Sequence, residues 1–297
     1  MKQIKFQFIV LLAGVPLFLC SAPATQLPAN GVVAAYQIGE QGANQRVWQK
    51  ITRATDAQGS AVLSTNRAYV EIATGLNYRD PATGKWLPSR EEIDAYPGGA
   101  IAQYGQHKVI FAGNLNTAGA IDLQMPDGRE LRSDVLGLAY CDTASGRDVL
   151  IAEVKDCQGQ IVNSNQVIYA DAFNGISGNV RYRYTRAGLE QDVILLAQLP
   201  TPESFGLSST SSVLQVLTEF TSAPTPDINV FFDETTNSGA LPDESVDFGA
   251  MRMVEGKALL LGTNSMSTVV SKQWTTVNGR TVLMESVYVP GIAKSLA

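Results

Sequence analysis

Asn179-Val180-Arg181-Tyr182-Arg183-Tyr184-Thr185 runs into the turn Thr185-Arg186-Ala187-Gly188 and then into Glu190-Gln191-Asp192-Val193-Ile194-Leu195. Val180, Tyr182 and Tyr184 fall on one parity and Arg181, Arg183 and Thr185 on the other. Side chains of a strand alternate between faces, so a period of two with apolar and charged residues segregated describes a half-buried strand. The stretch therefore predicts a β-hairpin.

Working outward, the same grammar recurs. Turn signals stand at Asp56-Ala57-Gln58-Gly59, Asp80-Pro81-Ala82-Thr83-Gly84, Pro126-Asp127-Gly128, Asp142 to Gly146, Asp156-Cys157-Gln158-Gly159 and Asn278-Gly279. Most set Asp, Asn or Pro ahead of a Gly able to take positive φ. Between them lie strand-like runs: Val47 to Thr52, Tyr69 to Ile72, Lys108 to Phe111, Ala120 to Met125, Val149 to Val154, Gln166 to Tyr169, Val213 to Phe220, Ile228 to Phe232, Thr268 to Thr275 and Thr281 to Val289. So many hairpin-linked strands predict an all-β fold, an antiparallel β-sandwich with little helix. The best helical signal is Ser89-Arg90-Glu91-Glu92-Ile93-Asp94, where Ser89 and Glu92 have capping-box spacing and predict one short turn.

The first residues are of another kind. Lys2 and Lys5 precede an apolar run from Phe6 to Leu19, broken only by Gln7, and Cys20-Ser21-Ala22-Pro23-Ala24 follows. A basic start, a short apolar region and an A-x-A site form a secretory signal peptide. The run falls short of the ~20 residues a membrane-spanning helix needs, and Gly14 and Pro16 interrupt it. Cleavage after Ala24 is expected, because a cut after Ala22 would leave Pro23 directly behind it. Bulky Leu19 before Cys20 argues against lipidation there.

The expected organisation is a signal peptide over 1–24, a β-sandwich over 25–199, a Pro/Ser/Thr-rich linker over 200–212, and further strands over 213–297 that form a second module or complete the sandwich. The expected location is secreted, periplasmic or cell-surface, with no membrane span after cleavage. The chain has 22 basic and 28 acidic residues and a net charge of −6. Removing Lys2 and Lys5 makes it more acidic still, which excludes nucleic acid as a partner.

Export invites a disulfide between Cys141 and Cys157. The hairpin about Asp142 to Gly146 instead sets Cys141 beside Asp148, with Cys157 a strand length away, roughly 25 Å at ~3.3 Å per residue. A bridge requires Cα atoms within about 7 Å. Two free thiols are expected.

The residues of catalysis are sparse. His107 is the one histidine, lies in Gln106-His107-Lys108-Val109 at a strand start and predicts a surface or edge position. Ser-His-Asp and Cys-His arrangements have His107 as their one possible base, with no nucleophile-elbow sequence anywhere, and a zinc site built on His and Cys is equally undersupplied. Asp247-Phe248-Gly249 spells a kinase metal motif without its companion lysine or Gly-rich loop.

Carboxylates remain. Glu190 and Asp192 stand at i and i+2, and Asp243, Glu244 and Asp247 cluster; a glycosidase needs two carboxyls roughly 5 to 9.5 Å apart. The plainer expectation is a solvated strand face for the first pair and an acidic loop for the second group, which also lacks the ligand spacing of a calcium loop. No catalytic, cofactor-binding or metal-ligating residue is assigned. Trp48, Trp86 and Trp274 are the candidates for stacking on a ligand such as a sugar ring, with core packing as their alternative use.

Two segments resemble the N-terminal, non-repetitive region of large secreted bacterial proteins with rearrangement-hotspot (YD) repeats. One is Tyr78-Arg79-Asp80-Pro81-Ala82-Thr83-Gly84-Lys85-Trp86. The other comprises Tyr169, Phe173-Asn174-Gly175, Val180 to Tyr184, Gly188, Glu190 and Val193-Ile194-Leu195. The likeness spans Thr74 to Leu196, and no YD repeats follow before Ala297. It implies an exported β domain that heads a larger surface protein, and it carries over no catalytic residue. The expected function is a non-catalytic exported structural or adhesive module with a glycan or cell-surface partner. The alternative is a carbohydrate-binding module or a carbohydrate-active hydrolase.

Overall fold

A computed structural model describes residues 3–12, 34–55, 58, 60–231, 241–261, 267–290 and 292. The cleavage site after Ala24, Cys20, residues Asp56, Ala57 and Gly59 of the first turn signal, and Phe232 lie outside the described residues.

In chain order the strands are β1 (Gln3–Leu12), β2 (Ala34–Gly42), β3 (Gln45–Thr55), β4 (Ala61–Ile72), β5 (Asn77–Arg79), β6 (Trp86–Pro88), β7 (Asp94–Tyr96) and β8 (Gly99–Ala102). Then come β9 (Lys108–Ala112), β10 (Ile121–Gln124), β11 (Glu130–Asp142), β12 (Arg147–Glu153), β13 (Gly159–Val162), β14 (Gln166–Tyr169), β15 (Gly178–Thr185) and β16 (Gly188–Leu195). The last are β17 (Ser212–Ser222), β18 (Asp227–Phe231), β19 (Asp243–Asp247), β20 (Met251–Met253), β21 (Gly256–Leu261), β22 (Ser267–Val277) and β23 (Arg280–Tyr288). The fold is all-β and antiparallel.

The chain divides into two compact units. The smaller comprises Gly14–Arg90 and Tyr104–Gln106; the larger comprises Met1–Ala13, Glu91–Gln103 and His107–Ala297. The division does not fall in the 200–212 stretch, which lies inside the larger unit. Pro202–Phe205 form a 3₁₀ turn there, Leu199 and Leu207 are buried, and Tyr140 Oη donates to the Pro200 carbonyl at 3.0 Å. Its Pro/Ser/Thr content looks like a linker, but Leu199 just before it and Leu207 within it are buried in the core. Beyond it, β17 pairs along its length with β11 and β23.

In the larger unit, β13-β14-β15-β16-β1 run side by side and continue into β20 and β21. A second layer runs β7-β8-β9-β10-β11-β17-β23. β22 joins the two, pairing with β21 in its first part and with β23 in its second.

Alternation explains the packing between the layers. β15 has every second residue buried, and Tyr182 of that strand meets Phe111 of β9 at 6.0 Å between ring centroids. Tyr169 Oη donates to the Ala112 carbonyl at 2.5 Å, so the tyrosines bring apolar area to the core and keep their hydroxyls satisfied. Gln191 of β16 accepts from Tyr182 Oη at 3.0 Å and donates to Thr218 Oγ1 of β17 at 3.1 Å, a polar link across the interior.

The opening hairpin is as expected: Thr185 registers with Gly188 across a two-residue loop. Gly188 is the first residue of β16, not a positive-φ turn residue. No helical turn forms over 89–94. Ile93 is buried and its N–H donates to the Ser164 carbonyl at 2.7 Å, after which Asp94 opens β7. Tertiary burial of Ile93 outweighs a capping box with no amphipathic helix behind it. Cys141 registers with Asp148, Cys157 lies past the end of β12, and both thiols are free.

Candidate functional site

The smaller unit carries the sheet β2-β3-β4, with β3 paired on both sides. Ile38 and Tyr69 both register with Trp48, and Tyr36 registers with Lys50. Cross-strand neighbours share a face, so Tyr36, Ile38, Trp48 and Tyr69 lie together on one side. The Trp48 and Tyr69 rings stack at 5.9 Å and 21°, and Tyr36 meets Tyr69 at 6.2 Å.

The patch remains open to solvent. Tyr36 is 46% and Tyr69 47% exposed, and Ile38 is exposed beside them. A polar network anchors one end. Trp48 Nε1 donates to Glu71 Oε2 at 2.9 Å, and Arg46 pairs with the same carboxylate at 3.5 Å. Arg46 also donates to Asn77 Oδ1 at 2.8 Å and to the Leu76 carbonyl at 3.1 Å, while Asn77 is buried. The indole is therefore fixed at its edge with its ring face in the patch. Flat rings with polar groups at the margin can stack on the apolar face of a ligand and hydrogen-bond its rim.

The other two tryptophans are elsewhere. Trp86, in β6, is half-buried, registers with Arg79 and accepts on its carbonyl from Gln41 Nε2 at 3.0 Å. The turn before it is held by Asp80, whose Oδ2 accepts from Thr83 Oγ1 at 2.5 Å; that bond lowers the Asp80 pKa. Trp274, in β22 of the larger unit, packs against Phe220 at 4.6 Å and Phe248 at 5.6 Å. Its ring is engaged by the core. The two tyrosines that complete the Trp48 patch were not singled out in the sequence. Tyr69 could have been, as a strand aromatic, but its opposition to Trp48 depends on strand register.

His107 is not at the surface. It has 0% exposure, and its ring lies 4.7 Å from that of Tyr184, whose Oη donates to the His107 carbonyl at 2.9 Å. Burial lowers its pKa to about 4, so it is neutral near pH 7. Its polar neighbours in sequence suggested an edge, but the turn into β9 brings its ring against Tyr184 of β15.

Nor do Glu190 and Asp192 form a solvated face; they are 6% and 0% exposed. Arg183 clasps Glu190 through two bonds of 2.7 and 2.6 Å, and Arg181 holds Asp192 at 2.7 Å. The arginines come from the directly opposite positions of β15. The acidic cluster is likewise engaged. Asp243 binds Lys272 Nζ at 2.7 Å, Glu244 accepts from the Trp274 N–H at 2.6 Å, and Asp247 accepts from the Gly249 N–H at 2.6 Å.

Glu285 registers with Lys272 and is 4% exposed. Burial pushes its pKa up to about 8, with Lys272 opposing the rise and Asp192 and Asp243 adding to it. An open groove of about 320 Å³ runs past Asp243, Arg252, Glu255 and Lys272. Among the described residues no group of three or more His, Cys, Asp or Glu side chains is placed to hold a metal ion. Among them, too, no helix is long and apolar enough to cross a membrane.

No family model matches this chain, and no curated protein or solved structure is similar enough to it to count as a match.

Proposed function

We propose that this chain is an exported, non-catalytic β module with a structural or adhesive role, and that it engages its partner through the Tyr36–Trp48–Tyr69 face of β2-β3-β4. The observation that carries the reading is that the Tyr69 ring meets those of both Trp48 and Tyr36 on one sheet face, with the two tyrosines exposed and the indole half-buried. Contiguous exposed apolar area of this kind marks interaction surfaces, and ring faces with a polar margin suit a glycan. The signal-peptide pattern and the resemblance to repeat-protein N-terminal regions support the exported, surface-associated part of the reading. The hydrolase alternative has less behind it, because both carboxylates of its best pair are neutralised by arginines on the neighbouring strand.

A glycan array probed with the purified protein tests the proposal. Binding that Trp48→Ala or Tyr69→Ala weakens by roughly two- to tenfold is the expected result, since a stacked ring contributes on the order of 0.5–1.5 kcal/mol. Absence of any glycan signal at high protein concentration sinks the sugar-binding part. Turnover of chromogenic glycosides would restore the hydrolase.

A further inference from the structure

Residues Gln3–Leu12 lie within the segment whose sequence marks it for removal, yet as β1 they occupy an internal place in a sheet. On one side β1 pairs with β16, from Ile4 opposite Leu195 to Leu11 opposite Gly188. On the other it pairs with β21, from Gln3 opposite Leu261 to Gln7 opposite Lys257, and with β20, from Val10 opposite Met253 to Leu12 opposite Met251.

The neighbouring strand is built for an interior position. All eight residues of β16 are buried, including Glu190, Gln191 and Asp192. Without β1, one edge of β16 would present a row of unpaired N–H and C=O groups beside apolar side chains. Such an edge templates the addition of another strand.

We propose that removal of the leader opens the position between β16 and β20/β21, and that this position is a docking slot for a β-strand of a different protein, entering by strand addition. The proposal rests on the export reading. The chemistry of the incoming strand follows from the segment that fills the slot here. It is about ten residues long and antiparallel to β16; in sequence it alternates over Gln3 to Phe8, with Ile4, Phe6 and Phe8 apolar, and is apolar throughout from Phe8 to Leu12. It carries polar residues where Lys5 and Gln7 register with Ile194 and Asp192.

Among the described residues no free strand supplies an equivalent. The described strands with an edge free along their whole length are shorter than β1, except β4, whose centre Ser64-Thr65-Asn66-Arg67 breaks the alternation. The residues that would follow the cut include Pro28, which has no N–H to pair.

The test uses the full chain with a site-specific protease sequence inserted between Ala24 and Thr25. The folded protein is cut and offered a fluorescent peptide of residues 3–12. The control peptide has the same composition, with Gln3, Lys5 and Gln7 each exchanged with the apolar residue that follows it. The expected result is one-to-one uptake of the matched peptide with displacement of the cut segment and a rise in Tm. The exchanged peptide should bind at least about tenfold more weakly, because the exchange, like a one-residue slip, turns these side chains to the wrong face.

Release of the cut segment with no fall in Tm and no peptide uptake overturns the slot, as does equal binding of both peptides. Dimerisation on cutting would put a second copy in the slot and overturn the different partner. If the cut protein precipitates, Phe6→Pro in the uncut chain reports the same pairing. Amide exchange across residues 188–195 should accelerate, and unchanged exchange overturns the proposal. N-terminal sequencing of the protein from its native source reads export separately: a chain that retains residues 3–12 overturns the opening step, whatever the peptide does.

Discussion

Tyr182 and Gln191 are a pair whose value depends on both being present. The tyrosine hydroxyl satisfies Gln191 Oε1, and the same amide reaches Thr218; burial holds the phenol pKa well above its usual value. Tyr182→Phe leaves a buried acceptor without its donor, which costs roughly 1–3 kcal/mol. Urea denaturation should show that loss with an unchanged m-value. At His107 the effect is one of protonation. The folded pKa of about 4 lies below the ordinary 6.5, so below pH 6.5 the unfolded chain takes up a proton that the folded chain refuses. Stability should fall as pH drops from about 6.5 to about 4, by up to about 3 kcal/mol from this residue. Unfolding measured at pH 7 and pH 4.5 should show a smaller fall in His107→Phe than in the parent.

Among the elements, the β11–β12 hairpin separates two uses of glycine. Gly146 has φ 69° and would meet nothing within 4 Å if given a Cβ, so Gly146→Ala tests backbone conformation alone and should cost about 1 kcal/mol. Gly137 sits beside a register shift in β11, and a Cβ there would lie 2.1 Å from the Ala152 carbonyl oxygen. That clash is with backbone of the partner strand and cannot be relieved by a rotamer. Gly137→Ala should therefore lower Tm several times more than Gly146→Ala, and equal shifts would contradict the close approach. The hairpin itself was legible: a turn at Asp142 to Gly146 between two strand-like runs places Cys141 beside Asp148. The bulge was not, because the need for Gly137 comes from Ala152 across the ladder and not from its neighbours in sequence.

At the scale of the whole molecule, buried charge sets the response to pH. Glu285 has a folded value near 8 against an ordinary 4.5. Its contribution to stability is complete below about pH 4.5 and is lost as pH rises through 8, because the unfolded chain has by then released its proton. The His107 contribution runs the other way. The two slopes oppose between about pH 4.5 and 6.5, where stability from this pair is flat, and Glu285 alone acts above that range. Glu285→Gln should raise Tm more at pH 8 than at pH 5, as scanning calorimetry at the two values will show; an equal rise would mean that the carboxyl is ionised throughout.

The sequence by itself determined the all-β class, the antiparallel hairpins and the positions of most turns. Period-two alternation and Asp/Asn/Pro-Gly turns act over a few residues and need no distant partner. Tertiary structure decided the rest. His107 and the Glu190/Asp192 pair look solvated in sequence and are buried because a second layer and two opposite arginines cover them. Trp48 and Trp274 are alike as letters, yet one stacks with Tyr69 on an open face and the other packs between Phe220 and Phe248. The leader-like segment reads as something to be removed, whereas its backbone pairs on both sides within a sheet. Each of these outcomes is set by strand register and by contacts between residues far apart in the chain, which a local pattern does not encode.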